Sequence, residues 1–327
     1  MSTLMQAPNI RESDGDSRAL GEATATIPRR AAAFAKSFVR DPLAHWPFVA
    51  ISRLAFGNTT GFRQNFYGSL NGCYHRFFAR RADEYAIDAE VREMAAGLRE
   101  NDIALANGWL DAGTMTSVRE QILPLAEKIG DKAAYITTLE GQEIEANIPQ
   151  VFEFLTDKMT AVAEEYFGSP FQIGGMSFRL TQHVPNEILR KAEVYSNRWH
   201  FDSVPTSQLA IFIILNDIST ADGPTAALPL SGSKEMVKRG YRYRNTVDDT
   251  MLRALEDHPS KAEFIGPAGT VLFANTATCL HRAGIPEHGR HREWLEFRLY
   301  PCRDATNKNR ISTPGILKWT HGINPAS

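Results

Sequence analysis

The chain has 327 residues, 43% hydrophobic content and a formal net charge of −2, as expected of a globular protein with one large domain plus additions. No run of about eighteen apolar residues occurs, which excludes a transmembrane helix. Cys73, Cys279 and Cys302 are too widely spaced for a disulfide framework or a zinc motif.

Residues 1–27 are polar and read as a disordered lead-in. Met1 to Gln6 lacks the basic-then-apolar pattern of a signal peptide, and the pair Arg29-Arg30 is followed by Lys36, Arg40 and Asp41 where a twin-arginine signal needs an apolar stretch. With the free thiols, this points to a cytoplasmic, reducing compartment. From 28 to 82 the chain becomes basic and aromatic: Arg53, Arg63, Arg76, Arg80 and Arg81 alternate with Trp46, Phe56, Phe66, Tyr74 and Phe78. Such a stretch can bind nucleic acid, an anionic lipid surface or an acidic carrier domain. It can equally be a helical extension whose aromatics pack on the core. We take the helical extension as the reading for 28–82, which leaves no expectation of nucleic acid as a partner.

Asp88 to Arg99 reads as a helix with Val91, Met94, Ala95 and Leu98 on one face. A second runs from Thr114 to Ile129, with Thr116 or Ser117 as its hydroxyl cap, and a third from Val151 to Phe167. After the turn Gly168-Ser-Pro170, strands are expected over Phe171–His183, to the end of Arg198–Ser203, and over Gln208–Leu215, Gly269–Ala274 and Glu293–Tyr300. Leu230–Lys234 reads as a turn. The segment 233–261, rich in Lys, Arg and Tyr, is either a solvated face or a lid that captures an anionic substrate.

Chemistry concentrates at the strand ends. Residues i and i+2 of a strand point to one side, so His200 and Asp202 can face one cavity while Phe201 faces away. His281 follows a later strand, and Arg292 lies eleven residues beyond it. Two imidazoles and a carboxylate form an open metal face that suits non-haem Fe(II) and leaves coordination positions for a co-substrate and O₂. Arg292 is placed to hold an anion; Arg290 shares its strand parity and is the rival. His288 and His291 lie in a Gly- and charge-rich turn and read as exposed. Cys279, two residues before His281, reads as a small buried thiol.

These residues resemble the phytanoyl-CoA dioxygenase family of Fe(II)/2-oxoglutarate-dependent oxygenases over about Leu98 to Cys302. The pattern is carried by His200-x-Asp202, Gly223-Pro224, Gly269-Thr270, His281 and Arg292. The resemblance implies an α+β fold with a double-stranded β-helix, a jelly roll of cupin-like kind, covering about 171–301 within a domain of 83–327 and buttressed by N-terminal helices. It implies a metal site of His200, Asp202 and His281, with Fe(II), 2-oxoglutarate and O₂ as cofactor and co-substrates. Arg292 would bind the far carboxylate, with Thr181 and Gln182 as further co-substrate contacts. The implied reaction is hydroxylation of a small molecule, such as a secondary metabolite that is anionic or carrier-bound, with release of succinate and CO₂. Desaturation, ring formation and epimerisation draw on the same oxidant. Asp202 stands where halogenating members have a small residue, which favours oxygenation over halogenation. Two positions depart from the family: Lys234 replaces a His in the turn after the Gly-Pro strand, and Ala283 replaces a Ser that contacts the co-substrate. A non-catalytic β-barrel binding module and, from the basic aromatic stretch, a nucleic-acid-acting protein are the competing classes.

Overall fold

The computed structural model describes residues 69–73, 76–77, 88–241, 248–304 and 306–312. The lead-in 1–27 and nearly all of the stretch 28–82 lie outside the described residues.

Helix α1 (Ala89–Asn101) buries Val91, Ala95 and Leu98, and Asp88 caps it by accepting from the Glu90 N–H. Helix α2 (Ala112–Ile129) starts two residues before the expected Thr114, because Asp111 takes the cap and accepts from the Thr114 N–H at 2.9 Å. The Thr116 hydroxyl instead bonds back to the Ala112 carbonyl. A short helix α3 (Gly141–Asn147) follows. The helix expected over 151–167 is two pieces, a 3₁₀ segment Pro149–Phe154 and α4 (Asp157–Phe167). Leu155 ends the first piece and Thr156 caps the second, its hydroxyl accepting from the Met159 N–H.

The strands are β1 (Ile103–Ala106), β2 (Asp131–Ala133), β3 (Ile136–Glu140), β4 (Phe171–Gln182), β5 (Leu209–Ile214), β6 (Ala226–Ala227), β7 (Ala262–Glu263), β8 (Val271–Ala274), β9 (His281–Arg282), β10 (His291–Pro301) and β11 (Asn307–Ile311). The larger sheet runs β1-β8-β5-β10-β4-β3-β2, with β11 added in parallel to β4; the smaller runs β7-β6-β9. A single bridge between His200 and His281 adds a fourth chain segment to the smaller sheet. The result is a double-stranded β-helix whose larger sheet also takes strands from before residue 171 and after residue 301. Arg198–Ser203 contributes only that bridge; the full strand end expected there is absent.

Alternation gives the larger sheet two distinct faces. Leu209, Ile211 and Ile213 of β5, Val271 and Phe273 of β8, and Leu295, Phe297 and Leu299 of β10 point outward. They pack against Val91, Leu98, Val118, Ile122, Met159 and Val162 of the helices. Buried apolar surface of this kind is the main stabilising term, and truncating the fully buried Phe297 to Ala costs about 3–5 kcal/mol. Arg119 of α2 also makes two hydrogen bonds, of 2.6 and 2.8 Å, to the buried Glu293 of β10. The intervening residues Ala210, Phe212, Leu272 and Ala274 point inward and meet Ala227 and Phe264 of the smaller-sheet side. The even-numbered residues of β10 therefore line the space between the sheets.

After the four-residue turn of helix α5 (Asn186–Leu189) come α6 (Leu230–Lys238) and α7 (Asp249–Glu256). The turn expected at Leu230–Lys234 is the beginning of α6. Met236, Tyr241 and Leu255 pack with Trp199, Ala226, Leu228 and Leu280 on the outer side of the smaller sheet. Residues 242–247 of the possible lid, with Arg242, Tyr243 and Arg244, lie outside the described residues. Glu256 of α7 fastens this layer down: it accepts from Trp199 Nε1 at 2.8 Å and from two Arg282 nitrogens at 2.7 Å each. Trp199 and Arg282 are the chain neighbours of His200 and His281, so the clasp grips both of these segments from behind.

Candidate metal centre

His200, Asp202 and His281 come together between the sheets, with their ligand atoms all within 4.8 Å of one another. Asp202 Oδ1 lies 3.5 Å from His200 Nε2 and 3.7 Å from His281 Nε2. The other nitrogen of each ring faces a backbone carbonyl: His200 Nδ1 is 2.8 Å from the Arg198 oxygen, and His281 Nδ1 is 3.1 Å from the Cys279 oxygen. A carbonyl only accepts, so each Nδ1 carries the proton and each Nε2 presents its lone pair to the centre. This is how metal-binding imidazoles are oriented from behind. Phe201 turns away, as expected, and meets the Tyr241 ring edge-on.

Electrostatics agree with this arrangement. Burial, reinforced by the nearby cationic groups, pushes His281 down to about 4, so it is neutral at physiological pH. Burial alone would raise Asp202, but the Arg298 guanidinium and the two imidazoles beside it outweigh burial and hold the carboxyl well below the usual range. Arg298 reaches Asp202 Oδ2 at 3.2 Å and also pairs with the buried Glu296. The set is two ring nitrogens and one ionised oxygen gathered around one point. It fits a divalent iron with open positions better than a closed zinc site.

Arg292 shares the inward face of β10 and is 2% exposed. Its guanidinium carbon lies 4.9 Å from the Trp294 ring centre. One nitrogen donates to the Gly284 carbonyl at 3.3 Å, while Nε and the other terminal nitrogen have no partner among the described residues. Burial pushes it down to about 10, so it stays charged at neutral pH. The rival Arg290 is exposed and already paired with Asp222, at 2.9 and 3.1 Å. Thr181 stands opposite Arg292 in the β4–β10 register and donates its hydroxyl to the Arg292 backbone carbonyl at 3.3 Å. Gln182 is carried by alternation to the other side of β4 and is exposed, so its side chain is not brought to the site. His288 is exposed, and His291 pairs with Glu293 at 3.0 Å. Cys279 is buried, and burial pushes its thiol up.

A cavity of about 190 Å³ opens beside the triad, lined by residues that include Arg179, Tyr195, Trp294, Glu296 and Arg298. Pockets that bury a drug-sized ligand run to roughly 300–1,000 Å³, so this one suits a small co-substrate with part of a second molecule. None of its lining residues comes from 233–261. Arg298, Glu296 and Trp294 were not singled out as site residues from the sequence. The signal was there: they share strand parity with Arg292.

The fold is that of known enzymes. EctD from S. alaskensis, crystallised with 2-oxoglutarate and 5-hydroxyectoine, matches with a TM-score of 0.51 at 14% identity, over 72% of this chain and 81% of that one. SnoN, a non-heme alpha ketoglutarate dependent epimerase from nogalamycin biosynthesis, gives 0.48 at 16% identity, over 65% and 84%. HygX from Streptomyces hygroscopicus, with nickel, 2-oxoglutarate and hygromycin B bound, gives 0.48 at 16% identity, over 64% and 87%. No protein-family model matches the chain, and no curated protein matches it in sequence. At these identities the likeness is one of fold. No helix among the described residues is long and apolar enough to cross a membrane.

Proposed function

We propose that the protein is an Fe(II)- and 2-oxoglutarate-dependent oxygenase acting on a small molecule, by hydroxylation of an unactivated C–H bond. The observation that carries this is the pairing of two features between the two sheets. One is a His-Asp-His face with both Nε2 lone pairs presented. The other is a buried guanidinium with unpartnered donors. The fold it shares with EctD, which was crystallised with 2-oxoglutarate, supports the same reading.

Each residue then has a role. His200, Asp202 and His281 hold the metal from one side and leave the opposite side open. Arg298 fixes the Asp202 carboxylate and offsets part of its charge. Arg292 takes the far carboxylate of 2-oxoglutarate, where a planar guanidinium bonds in two places. Phe212, Leu272 and Trp294 wall the cavity and keep water from the reacting centre. When bound, Fe(II) with 2-oxoglutarate and O₂ supplies the oxidising power, releasing succinate and CO₂. Substrate placement decides whether the outcome is hydroxylation, desaturation, ring formation or epimerisation. The test is to load the chain with Fe(II) and 2-oxoglutarate without oxygen, admit O₂ in the presence of a panel of small molecules, and measure succinate. Substrate-stimulated succinate supports the reading; none across an iron-loaded panel, with no uncoupled turnover, removes it.

A further inference from the structure

Arg292 is not the only orphan in this region. Among the described residues, Thr225 Oγ1 and Trp294 Nε1 are also buried without a hydrogen-bond partner, and both residues line the cavity beside the triad. Buried polar atoms are nearly always paired, so several donors left over in one place point to a missing acceptor.

Sheet register brings Thr225 towards the segment whose carbonyl holds Arg292. Strand β6 pairs with β9, with Ala227 opposite His281 and Ala226 opposite Arg282. Just beyond that pairing lie Thr225 on one side and Ala283 on the other, both at the cavity, and Ala283 offers no polar side-chain atom. The next residue, Gly284, gives its carbonyl to Arg292. Gly284 packs so tightly on the loop before β6 that an added Cβ would sit 2.4 Å from the Pro224 oxygen. Alternation turns Thr225 and Ala227 inward together, while Ala226 packs in the outer layer.

We propose that Thr225 is a co-substrate-binding residue: its hydroxyl donates to the carboxylate held by Arg292. This rests on the reading of the site as one for 2-oxoglutarate. An ionised carboxylate has about four lone-pair positions. Two donors from Arg292 leave room for a third from Thr225, which approaches from the smaller sheet. The far carboxylate is thus gripped from both sheets at once.

The experiment is calorimetric titration of the Mn(II)-loaded chain with 2-oxoglutarate and with 2-oxobutyrate, which lacks the far carboxylate. Wild type, Thr225→Val and Thr225→Ser are compared, with melting temperatures of the ligand-free forms. Loss of a hydrogen bond to a charged group predicts about ten- to a hundredfold weaker 2-oxoglutarate binding in Thr225→Val. Thr225→Ser should stay within a few-fold of wild type, and 2-oxobutyrate should bind wild type and Thr225→Val alike. The ligand-free melting temperature should not fall, because the hydroxyl has no partner to lose. Equal 2-oxoglutarate binding by wild type and Thr225→Val overturns the proposal while leaving the oxygenase reading intact. Equal weakening for both ligands, with a lowered melting temperature, overturns it in favour of a packing role. A wild-type chain that takes manganese but no 2-oxoglutarate removes the oxygenase reading and this proposal with it.

Discussion

Replacing Arg292 by Leu tests the anchor without touching a metal ligand. In the ligand-free chain the guanidinium is buried, charged, and held by one hydrogen bond to Gly284. Removing one partner of a buried charge-assisted pair costs roughly 2–5 kcal/mol in binding. At about 1.4 kcal/mol per tenfold change, that is roughly one and a half to three and a half decades of 2-oxoglutarate affinity. The ligand-free protein behaves differently. Leu removes a desolvated cation that has little compensation, so stability should hold or rise, as when buried charges are replaced by apolar groups. Lys should recover only part of the affinity, since an ammonium cannot reproduce the two-pronged contact. Arg290→Leu loses only an exposed pair with Asp222, with about 0–1 kcal/mol of stability at stake, and leaves binding unchanged. The assay is titration of 2-oxoglutarate into the anaerobic Fe(II) form of each variant, with melting curves of the same samples. Normal binding by Arg292→Leu together with weak binding by Arg290→Leu would refute the assignment.

Three further predictions concern the metal face. Ala at His200, Asp202 or His281 should each abolish iron retention and succinate formation; wild-type activity at limiting iron in any one of them removes that residue from the ligand set. Arg298→Leu strips the cation from two carboxylates, Asp202 and Glu296. The metal-free chain should lose about 3 kcal/mol of stability and regain part of it on metal loading, because a bound cation takes over the neutralising role; urea midpoints with and without Mn(II) read both effects. The third is pH dependence. Burial depresses His281 from 6.5 to about 4, so between these values the unfolded chain holds a proton that the folded chain does not. The contribution from His281 is therefore full above about 6.5 and is lost as pH falls towards 4. Urea midpoints of the metal-free protein should decline from pH 7 to pH 5, less steeply in His281→Phe; an equal slope in both proteins contradicts this account.

Much of this site could be read from the sequence because strand alternation is a local rule. The apolar run at 208–215 and the mixed polar and apolar pattern at 293–300 marked β5 and β10, and i, i+2 spacing put His200 and Asp202 on one side of the chain. The short strands β6, β7 and β9 were hidden, since two residues such as Ala226–Ala227 carry no period. Their pairing depends on contacts distant in sequence. Thr225 was missed for the same reason: its place at the cavity follows from the β6–β9 register, not from anything near it in the chain. Gln182 fell on the wrong side because proximity to Thr181 in sequence means opposite faces in a strand. Arg290 and Arg292 could not be separated by parity; the burial of Arg292 and the exposed ion pair of Arg290 with Asp222 distinguish them.

The central claim is that three side chains hold one metal with an open side facing a carboxylate anchor. Anaerobic titration of Fe(II) and then 2-oxoglutarate into the full chain, followed by equilibrium dialysis, measures it directly. The account predicts one iron per chain, one 2-oxoglutarate bound only once iron is present, and loss of both in Asp202→Ala. Iron bound equally well by Asp202→Ala, or 2-oxoglutarate bound equally well without metal, would contradict it.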